Sequence, residues 1–305
     1  MRLSNYNSVT FFMIIALLFN YQFLLAQSDE VKIIPTQLDS NVYMLTGQGG
    51  NIGVCVGEDG VFMVDDQFAP LTDKILATIK TLSDKPVKFV FNTHWHGDHT
   101  GGNENMGNKG AIIVAHKNVH QRMSTEQFMK AFRRKVPAAP KAALPVVTFT
   151  KDISFHFNGE DILAFHVHHA HTDGDAFVYF TKANVLHMGD VYFNGRYPFI
   201  DLGSGGNIDG IIKAVNTALM LVDSETKIIP GHGDASNKTE LMAYRDMLTI
   251  IRDRVNKEVK AGKTLEEIKA LNLSKDYDEK YGQNFIKPNR FIGFIYDNLK
   301  EKDKK

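Results

Sequence analysis

Three histidines and one aspartate fall within six consecutive positions of this chain. Residues 94–99 read His-Trp-His-Gly-Asp-His, and they follow the apolar run of residues 87–91. With 12 histidines in 305 residues, this three-histidine spacing is expected by chance about once in 16,000 positions. Neutral imidazole nitrogens and carboxylate oxygens suit zinc and its first-row neighbours as ligands. The segment therefore predicts a metal-binding loop at the end of a buried strand.

Three further candidate ligands stand near glycines at the ends of predicted strands. His171 precedes an apolar run, Asp190 follows one, and His232 lies in the sequence Pro-Gly-His-Gly. Side chains at strand ends can be held over a shared sheet edge, and loops on a rigid scaffold are where functional residues concentrate. His166 and His168 share one face of the preceding strand and are competing candidates for the position of His171.

These motifs and their order resemble the metallo-β-lactamase fold superfamily. The resemblance runs from residue 65 to residue 232, and residues 94–99 are its most specific part. It implies a four-layer αββα sandwich with metal ions in a cleft at the sheet edges. The turn His-Thr-x-Gly at His171 matches the family and favours that histidine over its neighbours. The resemblance implies that one zinc ion is bound by His94, His96 and His171, that a second is bound by Asp98, His99 and His232, that Asp190 bridges both, and that Asp65 orients the histidine loop.

Two zinc ions held in this way indicate hydrolytic chemistry. Two cations about 3.5–4 Å apart can share one water and lower its pKa towards neutrality, which yields a hydroxide that attacks a carbonyl or a phosphorus. Asp98 is the candidate catalytic carboxylate because it can orient that hydroxide as well as bind metal. Other first-row metals fit the same donor set.

The sequence specifies the reaction more closely than it specifies the substrate. Secreted β-lactamases of the best-known zinc subclass carry Cys where this chain has Asp190, and the oxygen ligand is similar to that of glyoxalase II, lactonases and phosphodiesterases of the superfamily. We expect hydrolysis of an amide, ester or lactone, with a β-lactam as the specific hypothesis. A thioesterase or phosphodiesterase of the same fold and a non-catalytic metal-binding protein are the alternatives.

Two residues shortly after Asp190 are candidates for substrate contact. Arg196, in a predicted loop, could bind a substrate carboxylate through two N–H groups, although an ion pair with a surface acid is equally compatible with the sequence. Tyr192 is the second candidate. We expect the basic run of residues 130–135 to be a solvated helix end.

The elements that must position these side chains can be read from apolar periodicity and turn residues. Strands are predicted over residues 42–46, 52–56, 61–64, 87–91, 111–115, 153–157, 162–167, 176–180, 185–188 and 227–229. Helices are predicted over residues 71–82, 117–135, 208–222, 241–259, 264–271 and 285–299. Strand-rich halves with interleaved helices indicate an α/β (α+β) protein in which two mixed sheets stack and helices flank them.

The first 26 residues differ in composition from the rest. Arg2 is their only charged side chain, an apolar stretch follows, and Ala26 stands at the break before a polar segment. This pattern predicts a secretory signal peptide over 1–26 and export, with a bacterial periplasm as the expected location. We expect a catalytic domain over 27–237 and a helical C-terminal extension over 238–305 packed on the same domain.

Composition excludes some functions. Lys+Arg and Asp+Glu both total 35, so the chain has no basic excess that would attract nucleic acid. Cys55 is the only cysteine, which excludes an internal disulfide and a thiolate-rich zinc site. We expect a small-molecule substrate, no nucleic acid, and no stable membrane association once the signal is removed; the sequence does not predict an oligomeric state.

Overall fold

A seven-stranded mixed sheet forms one of the central layers in the computed structural model, which describes residues 31–302. The predicted signal segment 1–26 lies outside these residues. The strands of this first sheet are, in spatial order, β1 (Ile34–Gln37), β2 (Val42–Thr46), β3 (Ile52–Gly57), β4 (Gly60–Val64), β5 (Val87–Asn92), β6 (Ile112–His116) and β9 (Val147–Phe149). Strands β1 to β4 pair antiparallel, whereas β4, β5, β6 and β9 run parallel.

A second mixed sheet stacks on the first. Within the described part of the chain its five strands are β10 (Asp152–Phe157), β11 (Glu160–His166), β12 (Ala176–Phe180), β13 (Val185–His187) and β14 (Lys227–Ile229). Only the last pair, β13 and β14, is parallel. The two sheets share an aromatic core, in which the ring of Phe62 lies 5.0 Å from that of Phe155 and 6.2 Å from that of Phe180.

Helices cover the outer face of each sheet. Those in residues 31–302 are α1 (Thr72–Leu82), α2 (Gly97–Thr100), α3 (Asn103–Asn108), α4 (Lys117–Met123), α5 (Ile208–Leu221), α6 (Lys238–Lys260), α7 (Leu265–Ala270), α8 (Lys275–Tyr281) and α9 (Pro288–Lys302). Helix α1 buries Ile75 and Ile79 against the first sheet, and α5 buries Ile211 and Val215 against the second. The layers confirm the predicted αββα sandwich.

The C-terminal helices share one apolar core with the second sheet. Helix α6 contributes Tyr244 and Ile251, and α9 contributes Phe291. Helix α7 begins with the predicted capping box, in which Thr264 and Glu267 bond reciprocally. Helix α8 was not predicted. None of the helices in the described range is both long and apolar enough to cross a membrane.

The prediction of one helix over 117–135 was wrong. Helix α4 ends at Met123, and the hydroxyls of Ser124 and Thr125 both donate to the carbonyl of Gln121, at 3.1 and 3.0 Å. Such bonds compete with the helical backbone ladder. The chain then forms an antiparallel hairpin of β7 (Gln127–Met129) and β8 (Arg134–Val136), joined by a short 3₁₀ turn.

Asn51 connects the two sheets at the edge where the predicted ligands lie. It directly precedes β3, and its buried side-chain amide donates to the carbonyls of Pro230 (2.9 Å) and Gly233 (2.8 Å). Its backbone N–H donates to the carbonyl of Gly231 at 2.7 Å. These bonds hold the loop that carries His232, from the second sheet, against the first sheet.

We predict that Asn51→Ala lowers the free energy of unfolding by about 3 kcal/mol, because two carbonyls lose their donor inside the protein. The measurement is urea unfolding of the metal-free protein. Asn105→Ala is the matched control, since Asn105 also donates two side-chain bonds but lies partly in water. Equal, small losses for both variants would contradict a bridging role for Asn51.

Candidate metal centre

The predicted ligands meet at one edge of the sandwich. They are His94, His96, Asp98, His99, His171, Asp190 and His232. The histidine loop follows β5, His171 lies between β11 and β12, Asp190 follows β13, and His232 follows β14. Strands β4 and β5 are parallel, as are β13 and β14, so the carboxyl ends of the strands in each pair open onto the same edge.

Potential ligand atoms at this edge form two groups. In each group the atoms lie within 4.8 Å of one another. The first group, site A, is His94, His96, His171 and Asp190. The second group, site B, is Asp98, His99 and His232. The structure therefore brings together residues that are up to 138 positions apart in the sequence (94 to 232).

Asp190 belongs to both groups by distance. Its Oδ2 lies 3.5 Å from His171 Nε2 and 3.8 Å from His94 Nε2 in site A. Its Oδ1 lies 3.0 Å from His99 Nε2 and 3.4 Å from His232 Nε2 in site B. One buried carboxylate thus presents a separate oxygen to each group, which is the arrangement of a bridging ligand.

Several atoms of the centre are buried without a hydrogen bond. Within residues 31–302, His94 Nε2, His99 Nε2 and Asp190 Oδ1 have no partner with hydrogen-bond geometry, although the last two atoms are 3.0 Å apart and buried polar atoms are normally paired. All three face the space between the two groups. Five imidazoles and two carboxylates are a donor set that zinc and similar metals accept. The residues therefore fit a metal cofactor, typically zinc.

The histidine nitrogens that face away from the centre are occupied. His99 Nδ1 bonds to Asp65 Oδ2 at 2.7 Å, and His171 Nδ1 bonds to the carbonyl of Phe199 at 2.9 Å. His94 Nδ1 lies 3.1 Å from the hydroxyl of Thr93. Partners of this kind fix the ring orientation and tautomer of metal-binding histidines, so the Nε2 atoms of these three residues face Asp190 in the centre.

Asp65 holds both ends of the histidine loop. Besides His99 it accepts from the backbone N–H of Thr93 (2.8 Å) and from the Thr93 hydroxyl (2.7 Å). The backbone of Asp65 is left-handed, with φ 62°, a conformation that aspartate tolerates better than most residues. The residue lies where the sequence placed it, beneath the loop.

Asp201 is a functional candidate that sequence reasoning missed. Its Oδ2 lies 3.0 Å from His96 Nε2, so the other ring nitrogen, Nδ1, points towards His171 Nε2 at 2.9 Å. Asp201 stands between apolar residues and outside any motif, so the sequence offers no signal for it. It positions His96 in site A as Asp65 positions His99 in site B.

His171, rather than its neighbours, enters the centre. The ring of His166 instead stacks on that of His116 at a centroid distance of 3.8 Å, and its Nδ1 bonds to the carbonyl of Asp175. The carboxylate of Asp175 accepts from the backbone N–H groups of His171 (2.6 Å) and Thr172 (2.8 Å). This turn aims His171 inward.

Glycines make room for the ligands. A Cβ atom at Gly231 would collide with Asp190 Oδ1, and one at Gly50 would collide with the His99 ring. Both positions therefore require glycine for the backbone to approach the centre closely.

Burial and neighbouring charges shift the pKa values of the candidate ligands. Burial lowers the pKa of His94 and that of His171, the latter to about 4, so both are neutral and able to bind a cation. Burial opposes the charged form of Asp98, but His99 and His232 outweigh it and lower the pKa of Asp98 to about 2. The carboxylate is therefore ionised at neutral pH.

A cavity of about 460 Å³ opens directly above the centre. Its floor includes His96, Asp98, Asp190 and His232. Arg196 lines the cavity. The basic run was expected to be a solvated helix end, but one of its members, Arg134, lies on β8 and also lines this cavity.

Tyr192 does not reach the cavity, so its prediction as a substrate contact was wrong. Its side chain is only 1% exposed. The hydroxyl bonds to Ser236 Oγ at 2.7 Å, and the ring packs 4.9 Å from that of Tyr244. The residue follows the 3₁₀ turn Gly189–Val191 and belongs to the apolar core that the second sheet shares with helix α6.

Comparison with known proteins agrees with the fold. Hydroxyacylglutathione hydrolase of Pelagibacter ubique is 26% identical over 250 residues, which are 80% of this chain and 85% of that protein. Metallo-beta-lactamase type 2 of Bacteroides fragilis is 23% identical over 252 residues, covering 77% of this chain and 93% of that protein. The solved structure of a metallo-beta-lactamase from Pontibacter korlensis aligns with a TM-score of 0.58 at 20% identity, covering 72% of this chain and 99% of that one.

A family model extends the agreement across both halves of the sandwich. The model of the metallo-beta-lactamase superfamily matches residues 45–233, more than half of the chain, and this range contains both ligand groups. The relatives are hydrolases by name. The chain therefore belongs to the metallo-beta-lactamase superfamily and is a metal-dependent hydrolase.

Proposed function

We propose that the protein is an exported hydrolase that holds two zinc ions and cleaves an amide, ester or lactone bond. The observation that carries the proposal is the position of Asp190, whose two oxygens face site A and site B separately. A single ion would need only one of these groups. Paired ions 3.5–4 Å apart are typical of hydrolytic two-metal centres.

The seven proposed ligands differ in their exposure to solvent. Site A would hold one ion through three buried imidazoles, and site B would hold the other through Asp98, His99 and His232. When bound, the ions supply a water of lowered pKa and a Lewis acid for the attacked carbonyl oxygen. Asp98 and His232 are the more exposed members, with 31% and 19% of their side chains accessible, so substrate and water reach them first.

Asp98 has a second task besides metal binding. Its Oδ2 lies 3.3 Å from His232 Nε2, and its carboxylate borders the cavity. As an anionic carboxylate that borders the cavity, it can accept a hydrogen bond from the attacking water. That bond orients the water towards the carbonyl carbon above the floor.

The ligands and the relatives support the proposed substrate classes. Asp190 offers an oxygen ligand, whereas the best-known zinc β-lactamases that the chain resembles have a cysteine sulfur at this position. The similarity to hydroxyacylglutathione hydrolase extends over 80% of the chain and favours thioester hydrolysis as the second candidate. The β-lactam hypothesis is supported by the similarity to the Bacteroides fragilis enzyme.

Export to the periplasm is part of the proposal and rests on the sequence alone. Arg2, the apolar stretch after it and Ala26 are typical of a cleaved secretory signal. The N-terminal sequence of the mature protein, isolated from the producing cell, tests this; we expect it to begin at Gln27.

The function is tested by metal analysis paired with a substrate screen. We expect close to two zinc ions per chain in protein purified under zinc-replete conditions, and hydrolysis of at least one β-lactam, lactone, ester or thioester. A maximum of one ion per chain would contradict the paired centre. Turnover of phosphodiesters alone would replace the proposed acyl chemistry.

We predict that Asp98→Ala lowers kcat by about 100- to 10,000-fold, the range for a lost positioned acid–base group. Its side chain is partly exposed, so the free energy of unfolding of the metal-free protein should change by less than about 1 kcal/mol. Steady-state kinetics and urea unfolding provide the two measurements. Asp161→Ala, which removes an exposed carboxylate paired with His156, should change neither, and equal losses of activity and stability in Asp98→Ala would indicate a structural site.

We predict that the two positioning carboxylates act on different ions. Asp201→Asn should weaken zinc binding at site A, and Asp65→Asn should weaken it at site B, each by about 10- to 100-fold. Zinc titration against a competing chelator resolves the two steps. Asp161→Asn is the control, because it alters an exposed carboxylate–histidine pair away from the centre. Loss of both ions to the same extent in both variants would contradict this division.

A further inference from the structure

Two segments that are distant in sequence form a roof over the cavity. The roof consists of Met129, Phe132 and Arg134 from the β7–β8 hairpin and of residues 284–286 from the loop before α9. The hairpin belongs to the central part of the chain, whereas residues 284–286 belong to the C-terminal extension. The cavity above the metal centre is therefore completed by the extension.

Arg290 joins the two halves of the roof. Its guanidinium carbon lies 5.4 Å from the ring centroid of Phe132 and 5.0 Å from that of Phe285, and it also lies 5.7 Å from Phe294. One of its N–H groups donates to the carbonyl of Ala131 at 3.4 Å. The rings of Phe132 and Phe285 are 6.0 Å apart and nearly parallel, at 26°. A cation over aromatic faces is attracted to them, so Arg290 fixes the hairpin to the C-terminal loop.

The roof presents apolar surface to water. Phe285 is 65% exposed and Phe132 is 40% exposed, although both are large aromatic residues. Below them, Phe193 and Phe199 line the same cavity. Exposed aromatic surface around a concave site marks a place where an apolar group binds.

Two arginines that line the cavity have no side-chain partner among the described residues. Among residues 31–302, neither Arg134 nor Arg196 has an ion pair or a hydrogen bond from its side chain, whereas Arg122 forms a two-point pair with Asp173. A guanidinium that faces a cavity and is free of protein acids is available to an external oxyanion, which it can bind through two parallel N–H groups.

We propose that the cavity takes an amphiphilic anion, with a bulky apolar group beneath Phe132 and Phe285 and an anionic oxyacid group on Arg134. The scissile acyl bond then lies over Asp98, so the inference rests on the proposed hydrolytic function and specifies its substrate. Arg134 determines the preference for an anionic substrate. Arg290 is a positioning residue, because it acts on the substrate through the two phenylalanines.

Four 4-nitrophenyl esters separate the two features of the substrate. All four share the 4-nitrophenyl leaving group and differ in the acyl group: the butyrate has neither feature there, the 4-phenylbutyrate adds an aryl group, the hemiglutarate adds a carboxylate, and the 3-phenylglutarate hemiester has both. We expect kcat/KM of the zinc-loaded enzyme to be highest for the ester with both features. Equal kcat/KM for all four esters would refute the subsite and leave the hydrolytic function intact.

Variants assign the two preferences to residues. Arg134→Gln should lower kcat/KM for the two carboxylate esters, relative to that for the two neutral esters, by about tenfold, the size of a lost charge-assisted bond. Arg134→Lys should restore part of the preference. Arg133→Gln is the matched control, because Arg133 carries the same charge on the same hairpin and does not line the cavity. Equal effects of Arg133→Gln and Arg134→Gln would overturn the assignment.

Arg290→Ala should raise KM for the two aryl esters more than it raises KM for the two esters without the added aryl group. Loss of activity on all four esters with normal zinc content would instead indicate a general role of Arg290 in the fold, and would overturn its assignment as a positioning residue of the apolar subsite.

Binding to the metal-free protein tests the subsite without catalysis. We expect calorimetry to detect 4-phenylbutyrate and the corresponding sulfonate, and we expect about tenfold weaker binding of both to Arg134→Gln. An enzyme with two bound zinc ions that hydrolyses none of the esters, but binds these anions through Arg134, would contradict acyl hydrolysis and retain the subsite. Absence of Arg134-dependent binding would contradict the subsite.

Discussion

A buried carboxylate shared between two sets of imidazoles is the interaction on which this structure depends. Asp190 is almost fully enclosed, and its oxygens lie 3.0–3.8 Å from four histidine nitrogens. An ionised carboxylate is costly to bury without hydrogen bonds or cations. The unpaired nitrogens of His94 and His99 have the same difficulty. A bound metal would resolve both, which links the stability of this edge to its proposed chemistry.

Each sheet places ligands in the same way, at the ends of a pair of parallel strands. Parallel strands β4 and β5 in the first sheet, and β13 and β14 in the second, end at a common edge, where short turns carry the ligands. Asn51 joins the sheets there, while Asp65 and Asp201 each fix one imidazole. The floor of the cavity is thus made from the sandwich, whereas the roof comes from the β7–β8 hairpin and from residues 284–286.

The sequence predicted the floor far better than the roof. Histidine spacing and strand-end position are local signals, so His94, Asp190 and their companions could be assigned from the printed chain. Asp201 could not, because its role arises only from the approach of His96 across 105 positions. The helix predicted over 117–135 hid the hairpin, since Ser124 and Thr125 end the helix through side-chain bonds that periodicity does not register. Tyr192 was misplaced because proximity in sequence to Asp190 does not fix the side to which a ring turns.

Anomalous diffraction from zinc-loaded crystals tests the central claim most directly. We predict two zinc peaks per chain, about 3.5–4 Å apart, with one Asp190 oxygen coordinating each. A single peak, or two peaks of which one lies beyond reach of Asp190, would contradict the shared carboxylate and the paired centre built on it.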